Sequence, residues 1–308
     1  MKVYILGLLA CVLACPLAAQ NEVLDTSVTV LGYWNKGDTK KYSCAVTEEK
    51  SANGEVTSLT TRYNIELKIV DSTATSYVFN AAYRNIKPDT LASAEEKFMA
   101  RLMEGFAARY STDENGSFTG LINADEMKKS LLMAFDKMIK KYSAQPELHK
   151  VLEAFRPLVS SDDMLAQATE ELTMLHFFHG SMISRHRPFF GETEFGNLLG
   201  GDPFPAQAKV EVSNVAPDKS AFTITQYTRM DTKSGRTIML ESLKGFYKQL
   251  GITELPPDEE LLKQLDIKEV LAAQIIAKTG WPRKIEDTRT TVVGKSSTKR
   301  SIVITMTK

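Results

Sequence analysis

The amino-acid sequence predicts an α+β protein: a curved antiparallel β-sheet, open or half-barrel, with helices covering one face and a helical insertion in the middle of the chain. Three observations carry that reading. Tyr63, Ile65, Leu67 and Ile69 alternate with Arg62, Asn64, Glu66 and Lys68, a period of two that buries one side of a strand and wets the other. From Met127 the period becomes 3.6, with Met127, Leu131, Leu132, Phe135, Met138, Ile139 and Tyr142 on one stripe and Lys128, Lys129, Asp136, Lys137 and Lys140 opposite. Beyond Pro205 strand patterns return, so elements run β, α, β, α, β along the chain.

The elements follow in order. Met1-Lys2, an apolar run from Val3 to Leu13, and Pro16-Leu17-Ala18-Ala19-Gln20 predict a secretory signal peptide over 1–19. A lipoprotein signal at Cys11 or Cys15 is the alternative, and the apolar run is shorter than the roughly 20 residues of a membrane span. Residues 20–308 are read as a single α+β domain. Strands are expected within 25–84, at about Val28 to Trp34, Lys40 to Glu48, around Tyr63 and at Tyr77 to Tyr83. Asn35-Lys36-Gly37-Asp38 and Ser51-Ala52-Asn53-Gly54 supply turns between them. A helix over 92–107 and a hairpin turning at Asp113-Glu114-Asn115-Gly116 fill 92–122. The segment 124–180 is helical: Pro146 opens its second helix and Pro157 closes it, while Ser160 and Asp163 have capping-box spacing for a third that ends before Gly180. The Pro-, Gly- and Phe-rich stretch from Arg185 to Pro205 predicts an irregular connection. Strands are expected over 207–241, then a helix over 258–279 carrying Leu261, Leu262, Leu265, Val270, Leu271, Ile275 and Ile276, then a terminal hairpin over 281–307.

Composition bounds the partners. The chain of 308 residues carries 38 Lys and Arg against 38 Asp and Glu, with no long block of one sign. That balance gives no electrostatic case for nucleic acid or an anionic membrane surface. No later run is apolar for long enough to span a bilayer. Without the leader, Cys44 is the one cysteine left, so a packed core rather than an internal disulfide must hold the fold.

Chemistry-bearing patterns are sparse. His176 and His179 are three apart near a helix end, His186 follows, and Glu170 and Glu171 are a turn or so away. Imidazoles at that spacing can face one metal ion, which makes a metal-dependent hydrolase one reading. Against it, no His-Glu-x-x-His pattern occurs, and the helix dipole favours a histidine near a C-terminus anyway. Gly294-Lys295-Ser296 resembles the end of a phosphate loop, but Arg289 stands where its first glycine belongs, so it is read as a hairpin turn. No Gly-x-Ser-x-Gly elbow occurs and Cys44 has no local activating group. No catalytic residue, metal or cofactor is therefore assigned, and the chain is read as a non-enzymatic binding or interaction module. Tyr33, Trp34, Tyr42, Tyr63, Tyr77, Phe79 and Tyr83 are candidates to line the inner side of the sheet, as core or as the wall of an apolar cavity closed over by the helices Met127 to Tyr142 and Leu261 to Ile276. The cavity version is a periplasmic carrier of a lipid or other apolar ligand. The partner is then an apolar small molecule or another envelope protein.

Lys36-Gly37-Asp38-Thr39-Lys40-Lys41-Tyr42, the hairpin after it, and Gly280-Trp281-Pro282 before the last strand pair make the chain resemble exported cell-envelope proteins of Bacteroidota whose function is unknown. The resemblance implies a periplasmic, outer-membrane-associated or secreted setting and supplies no catalytic residues. More loosely, sheet wrapped around helices is similar to periplasmic lipoprotein carriers, which hold acyl chains in a half-barrel. In the Bacteroidota setting, Ser72 in Asp71-Ser72-Thr73 and Thr90 in Asp89-Thr90-Leu91 match a short acceptor pattern for O-glycosylation.

Overall fold

The computed structural model describes residues 23–52, 54–93, 97, 100, 106–197, 201–249, 257–258 and 265–307. The expected leader 1–19, most of the helix expected over 92–107 and most of 258–264 lie outside the described residues. Thirteen strands and five helices are described, numbered here in chain order. They are β1 (Ser27–Thr29), β2 (Thr39–Ala52), β3 (Glu55–Ser72), β4 (Ser76–Lys87), β5 (Ala107–Asp113), β6 (Phe118–Leu121), α1 (Ala124–Lys141), α2 (Pro146–Val159), α3 (Asp162–Ala168) and α4 (Glu170–His176). β7 (Met182–Ser184), β8 (Phe189–Phe195), β9 (Phe204–Val215), β10 (Ala221–Met230), α5 (Ser234–Gln249), β11 (Asp266–Ile276), β12 (Pro282–Val293) and β13 (Ser296–Met306) complete the order.

β1 pairs with β7, and the other eleven strands form one antiparallel sheet in the order β6-β5-β4-β3-β2-β13-β12-β11-β10-β9-β8. Two meanders, β2 to β6 and β8 to β13, meet where β2 pairs with β13. Every other pairing in that sheet joins chain neighbours, so hairpin turns set most of the register. The curved sheet does not close into a barrel.

Register explains the core. Tyr63, Cys44, Ile304, Ile285, Ala273 and Ile224 stand opposite one another in turn across β3, β2, β13, β12, β11 and β10. Their side chains share one face, and Cys44, Ile304, Ile285 and Ile224 are fully buried. Leu165 of α3 and Leu172 and Leu175 of α4 cover this row, at roughly 1.5–3 kcal/mol for each fully buried large apolar side chain. Two smaller clusters lie apart from it. Phe135, Met138, Ile139, Tyr142 and Val159 join α1 to α2, while Met239 and Leu240 of α5 pack on Phe195, Phe204, Met230, Leu265 and Ile267.

Several expected elements are corrected. Over Asp266–Ile276 the helix expected across 258–279 is instead strand β11, central in the sheet between β10 and β12. Ile267, Leu271, Ala273 and Ile275 are buried at every second position or a multiple of it, while the same run also fits a helical stripe. Pairing on both edges overrides the helix propensity of Leu-Ala-Ala-Gln. Strands do not extend over 207–241: β10 ends at Met230 and α5 begins at Ser234. The Asp231 carboxylate accepts from the backbone N–H groups of Lys233 and Ser234 and from the Ser234 hydroxyl, a start signal that outweighs the β-branched Thr237 and Ile238. The stretch expected to be irregular contains the edge strand β8. Of the strand expected at Val28 to Trp34, Ser27–Thr29 pairs with β7 and Trp34 lies beyond it. α2 continues through Pro157 to Val159, and the cap of α3 is Ser161, whose hydroxyl accepts from Met164 N at 3.1 Å.

Candidate ligand-binding groove

Moving along the strands from the apolar row, the inner face changes character within four residues. The next row is Thr61, Val46, Ile302, Asp287, Leu271 and Gln226; the one after it is Leu59, Glu48, Arg300, Arg289, Glu269 and Thr228. Arg289 and Arg300 are direct cross-strand partners, a like-charge pairing that is unfavourable unless acids compensate it. Glu269, opposite Arg289 on the other side, accepts from its Nε at 2.8 Å. Glu170, at the start of α4, pairs with Arg300.

Two further carboxyls lie deeper. Glu171 is buried, the Tyr63 hydroxyl donates to its Oε1, and the Tyr83 hydroxyl to its Oε2 at 3.4 Å. Burial, then the neighbouring Glu170 charge, pushes its pKa up to about 7. Asp287 is 3% exposed, and its Oδ1 has no hydrogen-bond partner. Burial, then the charge of Glu269, raises its pKa to about 7 as well.

Three cavities adjoin along α3, and all three touch Gln167. The first, of about 350 Å³, lies between Val46, Tyr63, Tyr83, Ile86, Glu171 and Arg300. The second, of about 270 Å³, is bounded by Glu170, Met174, Phe177, Leu271, Asp287 and Arg289. The third, of about 330 Å³, is walled by Phe195, Phe204, Met239, Leu243 and Ile267 and reaches both arginines. Shared walls make these one groove: Arg300 joins the first to the third, and Arg289 and Gly196 join the second to the third. The first and third cavities are mostly apolar and the second, at one end of the run, is the ionic one, an arrangement that suits an amphipathic occupant.

The histidines singled out from sequence fall elsewhere. His176 and His179 are buried with ring centroids 5.4 Å apart, packed against Trp34. His176 Nδ1 donates to Gly116 O at 2.9 Å, leaving Nε2 to accept from the Tyr110 hydroxyl at 2.9 Å. His179 Nε2 donates to Gly280 O at 3.0 Å. Burial pulls the pKa of His179 down to about 4 and that of His176 well below the usual imidazole value, so both are neutral and bind the fold together. Gly116 is needed beneath them: its φ is +96°, and a Cβ there would stand 2.7 Å from the His179 ring. His186 is on the surface, donating to the Asp25 carbonyl, so the three histidines do not converge. Among the described residues, no group of three or more His, Cys, Asp or Glu is placed to hold a metal ion.

Of the seven aromatic candidates, Trp34, Tyr42, Tyr63, Phe79 and Tyr83 are buried, and Tyr63 and Tyr83 also line the first cavity. The covering helices are α3 and α4, not the two expected from sequence. Lys36-Gly37-Asp38 forms a turn in which Gly37 N donates to Ile69 O and Asp38 O accepts from Ile69 N. Trp281 packs against Trp34 with ring centroids 4.7 Å apart and planes tilted by 34°. Ser72 ends β3 half-buried, and Thr90 is exposed after β4. Burial pushes the Cys44 thiol far up, so it stays protonated in the core. No helix among the described residues is long and apolar enough to cross a membrane. The ionic row Arg300, Arg289 and Glu269, with Asp287 in the row beside it, was not legible from sequence motifs. Its signal is charged residues at inward positions of neighbouring strands, which needs the register to be seen.

No family model matches the chain, and no curated protein matches it. Among solved structures it is similar to lipovitellin, in a structure concerned with lipid–protein interactions, at 8% identity and a TM-score of 0.44. That match covers 90% of this chain and 26% of the other, and a likeness of that strength identifies neither family nor role.

Proposed function

We propose that this protein is an exported, non-enzymatic binding protein of the cell envelope that carries an apolar or amphipathic ligand in the groove beneath α3. The observation that supports this most is the run of three adjoining cavities, of about 350, 270 and 330 Å³, the first and third mostly apolar. Sites for small molecules are concave, mostly apolar and furnished with a few polar groups, and volumes of a few hundred Å³ are typical. The non-enzymatic reading is supported by how the ionisable groups are used. Arg289 and Arg300 are held by Glu269 and Glu170, and Glu171 is held by two tyrosines.

Native mass spectrometry of protein purified from its own envelope fraction tests the carrier role. The expected spectrum contains the polypeptide plus a lipid-sized adduct, and the stripped protein takes up a fluorescent polyene fatty acid or its amine analogue. A bare polypeptide that enhances the fluorescence of neither probe would overturn the proposal. Recovery of the protein solely in the cytosolic fraction would remove the envelope part of it.

A further inference from the structure

Within the groove, the second cavity has a chemistry of its own. Asp163, Glu170, Glu269 and Asp287 bring four carboxylates to its wall, with Arg289 the one cation in its lining. Arg289 is committed, because its Nε and Nη2 both donate to Glu269 Oε1, at 2.8 and 2.5 Å. Arg300, next to it on β13, is committed to Glu170. What remains is Asp287: 3% exposed, facing the cavity, with Oδ1 unpartnered. A buried acceptor without a donor is destabilising, a penalty that a ligand supplying the donor would remove on binding. Met174, Phe177 and Leu271 form the apolar part of the same wall, and Gln167, Gly196 and Arg289 are shared with the third cavity.

We infer that the second cavity is a subsite for a cationic ammonium group, held against Asp287, of an amphiphile whose hydrocarbon lies in the adjoining apolar cavities. The inference rests on the binding role proposed above and assigns the polar end of the ligand. An ammonium supplies three donors on a small head that a cavity of about 270 Å³ accommodates. A carboxylate or phosphate would face Asp163, Glu170, Glu269 and Asp287, with both arginines already neutralised.

Proton linkage follows from the same geometry. The groups facing Asp287 are Glu269 on β11, Arg289 on β12, Arg300 on β13 and Glu170 on α4, with Asp163 of α3 at the rim. In the empty protein Asp287 is about half protonated near neutral pH. An ammonium beside it favours the carboxylate, so the alkylammonium binds and the Asp287 proton leaves to buffer.

Isothermal titration of the full protein with dodecylamine, dodecanol and dodecanoate at pH 6, in two buffers of different ionisation enthalpy, tests this. The amine should bind about tenfold or more tighter than the alcohol, the range of one charge-assisted hydrogen bond, and should release a proton. In Asp287→Asn, checked by circular dichroism for an unchanged fold, the amine's advantage and the proton release should both be lost while the alcohol binds as before. Alcohol or carboxylate binding as tightly as the amine to the native protein would overturn the inference and leave the groove's binding role standing. Binding of none of the three would overturn both.

Discussion

Glu171 is a carboxyl in an environment far from that of an exposed one. It is fully enclosed beneath α4, with the tyrosines of β3 and β4 as donors, and its pKa is raised from 4.5 to about 7. The folded state therefore holds a proton that the unfolded chain has lost between those values. The favourable contribution of this protonation is complete below pH 4.5 and disappears as pH rises through about 7. Glu171→Gln keeps the shape and acceptor oxygen without the charge. The melting temperature of the variant should vary less between pH 5 and 8 than that of the native protein, about 1.4 kcal/mol being at stake per pKa unit, and it should exceed the native value at pH 8. Parallel thermal denaturation curves for the two proteins across that range would refute the assignment. Glu171 also shows how far the sequence reaches at this scale. Glu170 and Glu171 were singled out as neighbours of the histidines. Their actual partners, Arg300 and Tyr63, are over a hundred positions away and reach them only through the sheet. A side chain's neighbours across strands depend on register, and register in the long pairing of β2 with β13 is set by no local turn.

At the scale of elements, local punctuation was read well and boundaries less so. The hairpin of β5 and β6, the opening of α2 at Pro146 and the hairpin of β12 and β13 follow their turn and cap residues as expected. α3 was legible to within one residue: Ser160 has the capping-box spacing, but Ser161 has the extended backbone of a cap and accepts the Met164 N–H. Ser161→Ala should cost about 1 kcal/mol in chemical denaturation, while Ser160→Ala, whose hydroxyl caps no helix N-terminus, should stay within about 0.5 kcal/mol. Equal effects of the two substitutions would return the cap to the position the spacing suggested. β11 was the larger failure, and its reason is general. Its run of apolar residues satisfies a two-residue and a 3.6-residue period at once, so only the neighbouring strands decide between them. This matters for the site, because β11 provides Glu269 to the ionic row and Leu271 to the second cavity.

Across the whole molecule, the open edges and separate clusters imply uneven stability. The fold class was legible because an alternating run and a helical run are each set by local burial; the arrangement of two meanders about one β2–β13 seam was not, being a matter of long-range pairing. The seam strands have partners on both sides and the fully buried row Cys44, Ile304 and Ile285 beneath them. α1 and α2, by contrast, share a small cluster of their own, and α1 is joined to the main core chiefly through Met127 in its first turns. Opening that helical pair exposes Phe135, Met138, Ile139, Tyr142 and Val159 without disturbing the sheet, whereas opening the seam breaks the single nonlocal pairing that unites the two meanders. Local opening free energies follow such differences in buried contact. Native-state hydrogen exchange should accordingly show amides of β2, β12 and β13 exchanging near the global unfolding limit, and those of α2 and the second half of α1 by a lower-energy opening, with the first turns of α1 intermediate. One common exchange free energy for the helical pair and the seam would mean that the two clusters melt as a single cooperative unit. The groove, whose walls combine β11, β12 and β13 with α3, α4 and α5, would then have no independently stable floor on which a ligand could be exchanged.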